Sequence, residues 1–174
     1  MVSPAPSSTL TGPSTTFTWT AGSGVSSYYL WIGTTAGGND LYQAAISGTS
    51  TTVSLPTNGA TIYVRLWSVI NGGLQHNDYT YTEFNPVPAT MISPAPGSTL
   101  TGPSTTFTWT TGSGVSSYYL WIGTTAGGND LYQAAISGTS TTVNLPTNGA
   151  TIYVRLWSVI NGGLQYHDYT YTEF

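Results

Sequence analysis

Residues 1–84 of this 174-residue chain align without a gap to residues 91–174 at an offset of 90, and only six paired positions differ. These are Val2/Ile92, Ser7/Gly97, Ala21/Thr111, Ser54/Asn144, His76/Tyr166 and Asn77/His167. A sequence written twice must fold twice, so any architecture has to close within one copy. The period far exceeds the roughly 20–50 residues of solenoid repeats and matches a small independent domain. The expected division is therefore a domain over 1–84, a linker over 85–90 and a second domain over 91–174. The linker, Asn85-Pro86-Val87-Pro88-Ala89-Thr90, carries two prolines, which favour a short, extended, semi-rigid spacer. Met1 aligns with Met91, and no charged n-region with an apolar core stands before it. The expectation is a mature or excised piece of a longer array.

Composition narrows the function classes. Charged residues are only 5% of the chain, against about 25% in an ordinary soluble domain. There is no lysine; Arg65 and Arg155 are the only strong cations, and the net charge is −4. Such a chain cannot assemble a phosphate-neutralising patch, which excludes nucleic-acid partners. No apolar run approaches the roughly 20 residues of a transmembrane helix, so membrane insertion is not expected. Aromatic residues at 13% argue against disorder. The absence of cysteine removes disulfides, thiolate metal sites and cysteine nucleophiles, and leaves the redox compartment open.

Within a copy, Gly, Pro and Thr interrupt every stretch and no helical period survives. Alternation is clear instead. In Thr16-Phe17-Thr18-Trp19-Thr20 the rings take one face and the threonines the other. Further strands are predicted over Ser27–Gly33, Leu41–Ala44, Ser50–Leu55 and Thr61–Ile70, with a last one around Asp78–Thr82. Turns fall at Gly22-Ser23-Gly24, Ala36–Asp40, Asn58-Gly59 and Asn71-Gly72-Gly73. A weak first strand near Ser8-Thr9-Leu10, kept to an edge by Pro4, Pro6 and Pro13, brings the count to seven. The predicted fold is all-β: two tandem seven-stranded antiparallel β-sandwiches. Trp19, Phe17, Leu55 and the aliphatic face of the long strand should supply most of the burial.

Several segments carry a family resemblance. Trp19, the Tyr28-x-Leu30-x-Ile32-Gly33 strand, and Leu55-Pro56 leading into Ile62-Tyr63-Val64-Arg65-Leu66-Trp67 resemble bacterial fibronectin type III-like or immunoglobulin-like repeats. The resemblance covers essentially all of both copies. It implies tandem modules of secreted or cell-surface proteins, serving as spacers, adhesive units or companions of carbohydrate-active enzymes. It fixes a fold and not an activity.

Catalytic chemistry finds little to work with. Histidine occurs at 76 in one copy and 167 in the other, which are not equivalent positions. An essential base should recur, so both read as polar turn residues, and no Ser-His-Asp set repeats. Asp78 and Glu83 have opposite parity on the last strand, which does not suit a glycosidase pair, and both read as solvated. Asn39-Asp40 could offer oxygen to Ca²⁺, but an all-protein site wants about six ligands, and an Asx turn explains the pair more simply. The chain is expected to be no enzyme, with no catalytic residue, metal or cofactor.

Parity on the long strand points elsewhere. Ile62, Val64, Leu66 and Ser68 form one set; Tyr63, Arg65, Trp67 and Val69 form the other. A guanidinium resists burial in a sandwich core, so its set must face water. If Tyr28, Leu30 and Ile32 point inward, Tyr29 and Trp31 join it. The candidate ligand-binding face is Tyr29, Trp31, Tyr63, Arg65 and Trp67, repeated as Tyr119, Trp121, Tyr153, Arg155 and Trp157. The facing of Tyr79 and Tyr81 stays open at this level. Such a face has three uses: self-packing of cross-strand aromatics, stacking on a polysaccharide, or contact with neighbouring repeats and self-association. The expected role is a non-catalytic, extracellular or cell-surface structural or adhesive repeat, with a pair of carbohydrate-binding modules as the alternative.

Overall fold

A computed structural model describes residues 1–174 as thirteen β-strands without helix. The chain divides into two compact units, Met1–Asn85 and Pro86–Phe174. In the first unit, β1 (Ser14–Thr18) pairs antiparallel with β4 (Ser50–Ser54). Facing them is a four-stranded sheet in the order β3 (Tyr42–Ile46), β2 (Val25–Gly33), β5 (Thr61–Ile70), β6 (Gly73–Thr82). The second unit repeats this with β8 (Ser104–Trp109), β9 (Val115–Gly123), β10 (Tyr132–Ile136), β11 (Ser140–Asn144), β12 (Thr151–Ile160) and β13 (Gly163–Thr172). There the smaller sheet gains β7 (Met91–Ser93), giving the orders β11-β8-β7 and β10-β9-β12-β13.

The expected first and last strands need correcting. The first strand is not at Ser8–Leu10: it lies before the first proline pair, as β7 in the second unit and as a single Ser3–Thr18 bridge in the first. The first unit thus has six strands and the second seven. The 8–10 segment crosses to the other sheet, where Leu10 N–H donates to Thr82 O at 2.9 Å and Thr82 N–H to Ser8 O at 3.1 Å. The crossing brings Leu10 into the first unit's core, where it is buried. The last strand is also longer than expected. It begins at Gly73, directly after the Asn71-Gly72 turn, whose residues both have positive φ (50° and 77°), as a two-residue hairpin requires.

The core of each unit is set by alternation. Phe17, Leu30, Ile32, Ile62, Val64 and Tyr81 are fully buried in the first, and Phe107, Leu120, Ile122, Ile152, Val154 and Tyr171 in the second. Tyr81 therefore faces inward, packing edge-on against Phe17 at 5.5 Å, while its hydroxyl donates to Pro4 O at 3.2 Å. Burial and the neighbouring Tyr79 push the Tyr81 phenol up to about 12. Glu83, expected in solvent, is only 2% exposed and its Oε2 has no hydrogen-bond partner. The spacer residues Val87, Ala89 and Thr90 bond within the second unit: Val87 pairs with Ser113, Thr110 N–H donates to Thr90 O, and buried Ala89 donates its N–H to Ser158 Oγ at 2.9 Å.

Candidate functional site

The register of the four-stranded sheet converts parity into a grid. Across β3, β2, β5 and β6 one row reads Gln43, Trp31, Arg65, Asp78, and the next reads Ala45, Tyr29, Trp67, His76. Tyr63 lies between Gly33 and Thr80 in the row beyond. The second unit gives Gln133, Trp121, Arg155, Asp168, then Ala135, Tyr119, Trp157, Tyr166. Ile62, Val64 and Leu66 are buried on the opposite face while Tyr63, Arg65 and Trp67 are half-buried. The predicted outward set is therefore on the outer surface of its sheet in both units.

The rings pack on one another. Trp31 and Trp67 meet edge to face at 5.3 Å, and Trp121 and Trp157 at 5.2 Å. Such pairs contribute about 0.5–1.5 kcal/mol beyond the area they bury. The Nε1 atoms of all four are covered and lack an acceptor, so the platform offers carbon rather than donors to its surroundings. In the first unit a shallow depression of about 190 Å³ is lined by Tyr29, Trp31, Gln43, Trp67 and Leu74. Leu74 is 58% exposed at its rim and Tyr29 37%.

Arg65 is held from three sides. Its Nε and Nη2 donate to the two carboxylate oxygens of Asp78 at 2.7 and 2.8 Å, the bidentate geometry that suits a guanidinium best. Its Cζ lies 5.3 Å from the centre of the Trp67 ring. On the remaining edge the backbone of Gly37, at φ 77°, comes so close that a Cβ there would stand 3.1 Å from Nη1. Arg155 repeats the arrangement with Asp168 and adds Tyr166, whose ring centre is 3.9 Å from the guanidinium carbon. Asp78 was the partner that sequence reasoning missed. The Asn71-Gly72 turn was the available signal: it fixes the hairpin register, and that register places position 78 opposite 65.

The histidines are not turn residues. His76 sits within β6, 4.6 Å from the Trp67 ring, with Nε2 3.8 Å from Asp78 Oδ2. His167 lies in β13 on the opposite parity from the platform, 6.5 Å from Tyr169. Asp40 uses both oxygens locally, accepting from Thr34 N–H at 3.0 Å and from the Thr34 hydroxyl at 2.9 Å, and Asn39 Nδ2 donates to Gln43 Oε1. These bonds close the 34–40 turn that carries Gly37.

Hydrogen bonds from Arg65 hold the Asp78 carboxyl below the usual carboxylate range, against an opposing effect of burial. Thr34 lowers Asp40 in the same way. A depressed folded value contributes stability that is complete above the unfolded value of about 4 and disappears as pH falls through the folded one. The melting temperature of the first unit should therefore drop on acidification below about pH 4. In Asp78→Asn the drop should be shallower, with the Asp40 contribution remaining. Parallel acid profiles of the two proteins by circular dichroism would contradict the assignment.

No protein-family model matches the chain, and no curated protein matches it. Among solved structures it is similar to the fibronectin(III)-like modules of Clostridium thermocellum CbhA, at 12% identity and TM-score 0.39, covering 99% of this chain and 90% of that one. A two-domain fibronectin type III segment of chicken tenascin is similar at 16% identity and TM-score 0.41, covering 95% and 93%. The FN1-FN3 domains of chicken CNTN1 are similar at 12% identity and TM-score 0.37; 95% of this chain spans 66% of that one. The strand order and antiparallel pairing within each unit make it a two-sheet β-sandwich.

Proposed function

We propose that this chain is a non-catalytic adhesive repeat of a secreted or cell-surface protein, and that each unit makes its contacts through the aromatic face of its four-stranded sheet. One observation carries the reading: both units present the same rows of rings outward, with the single arginine of each already paired to an aspartate. A charge-neutral, donor-poor platform is suited to apolar contact rather than to bond-breaking chemistry. Adhesion to other repeats and adhesion to a foreign surface are the two binding uses proposed for that platform. Size-exclusion chromatography over a concentration series, with electron microscopy for fibres, tests the first. Growth of an oligomer with concentration that Trp67→Ala and Trp157→Ala abolish is the result expected of a self-assembling array; a strict monomer throughout removes it.

The carbohydrate-binding reading differs only in what covers the face. The depression beside Trp31 and Trp67 favours it, because aromatic rings next to the Gln43 amide suit the apolar face and the hydroxyls of a sugar.

A further inference from the structure

On the carbohydrate-binding reading, sugar rings meet the indoles of each aromatic face.

Charge decides which sugars. Arg65 and Arg155 are the only lysine or arginine side chains in the chain, and both lie in this face. Each spends Nε and Nη2 on an aspartate, and the third edge of Arg65 is backed by Gly37. A uronate, sulfate or phosphate arriving at the platform would meet no free guanidinium. It would instead meet Asp78, which is 52% exposed, on a molecule of net charge −4. The hydrogen-bonding groups at the rim suit hydroxyls: the Gln43 amide, whose Oε1 already accepts from Asn39, and the exposed Asp78 carboxylate. We infer that the ligand of each aromatic face is an uncharged polysaccharide, held against the Trp31–Trp67 pair in the first unit and the Trp121–Trp157 pair in the second. This rests on the carbohydrate-binding reading and specifies its substrate class.

Affinity electrophoresis of the full chain through gels containing neutral glycans (a β-glucan, a xylan, a galactomannan) or acidic ones (alginate, polygalacturonate, a sulfated galactan) provides the test. Retardation is expected on a neutral glycan and should change less than about twofold between about 50 and about 500 mM NaCl, because no ion pair to the ligand is screened. Trp31→Ala with Trp121→Ala should weaken it roughly tenfold or more. Leu74→Asp with Leu164→Asp, at exposed rim positions that carry no core packing, should weaken it too and guards against loss by misfolding. Stronger retardation on an acidic glycan, lost at high salt, would overturn the neutral assignment while leaving sugar binding intact. Retardation on none of the gels would remove the carbohydrate reading itself, and with it this inference.

Discussion

In Phe17→Ala, the first unit should melt far below the second, so that calorimetry shows one displaced transition and one unmoved. Phe17 is fully buried and meets Tyr81 edge-on, linking the small sheet to the last strand of the large one. Truncating a buried phenylalanine costs about 3–5 kcal/mol, from lost transfer energy and the cavity left behind. A unit of this size without disulfides has a total stability of about 4–13 kcal/mol at 0.05–0.15 kcal/mol per residue. The substitution therefore consumes much of it, and at about 4–8 °C per kcal/mol the transition should fall by more than about 12 °C. The second transition should stay in place because its core, around Phe107, Leu120 and Ile152, is a separate cluster. Equal displacement of both transitions would show that the two cores melt as one.

Gly33→Ala should be the second large effect, and it acts on the site as well as on stability. Gly33 ends β2 in a buried position where a Cβ would lie 2.5 Å from the Gly38 carbonyl carbon and 2.6 Å from Asp40 Oδ1. Neither can retreat freely: one is backbone, and the other is held by Thr34. Overpacking of this kind costs about 1–3 kcal/mol, or a fall of roughly 4–24 °C in the first transition. The 34–40 turn must shift, and with it Gly37, so the guanidinium of Arg65 loses its backing. Tryptophan fluorescence should change, since Trp67 lies against that group. Gly48→Ala is the control, because a Cβ there meets nothing within 4 Å; it should stay within about 0.5 kcal/mol of the parent. A Gly33→Ala protein as stable as that control would contradict the close approach.

Much of this was legible in the residues, for reasons specific to each. The long strand reads out its own bounds because ten residues alternate without interruption between a turn and an Asn-Gly pair. Its facing follows from one arginine, since a guanidinium in a charge-poor chain has no partner inside a sandwich. Tyr81 was illegible: an aromatic with a hydroxyl is at home on either face, and only the register of β5 on β6 sends it inward. The first strand was misplaced because prolines mark where a strand stops without saying on which side it lies. Glu83 was read as solvated because nothing in a single carboxylate announces burial.

The repeat, the alternation and the scarcity of charge fix, by local physics alone, two sandwiches with an aromatic side turned to water. Those properties depend on neighbours in sequence, and the chain states them outright. The pairing of Arg65 with Asp78, the meeting of Trp31 with Trp67, and the closing of the 34–40 turn over the guanidinium depend on distances between strands. Cross-strand register sets those distances, and so only the tertiary structure turned an apparent cationic binding residue into a neutralised pin beneath an uncharged platform.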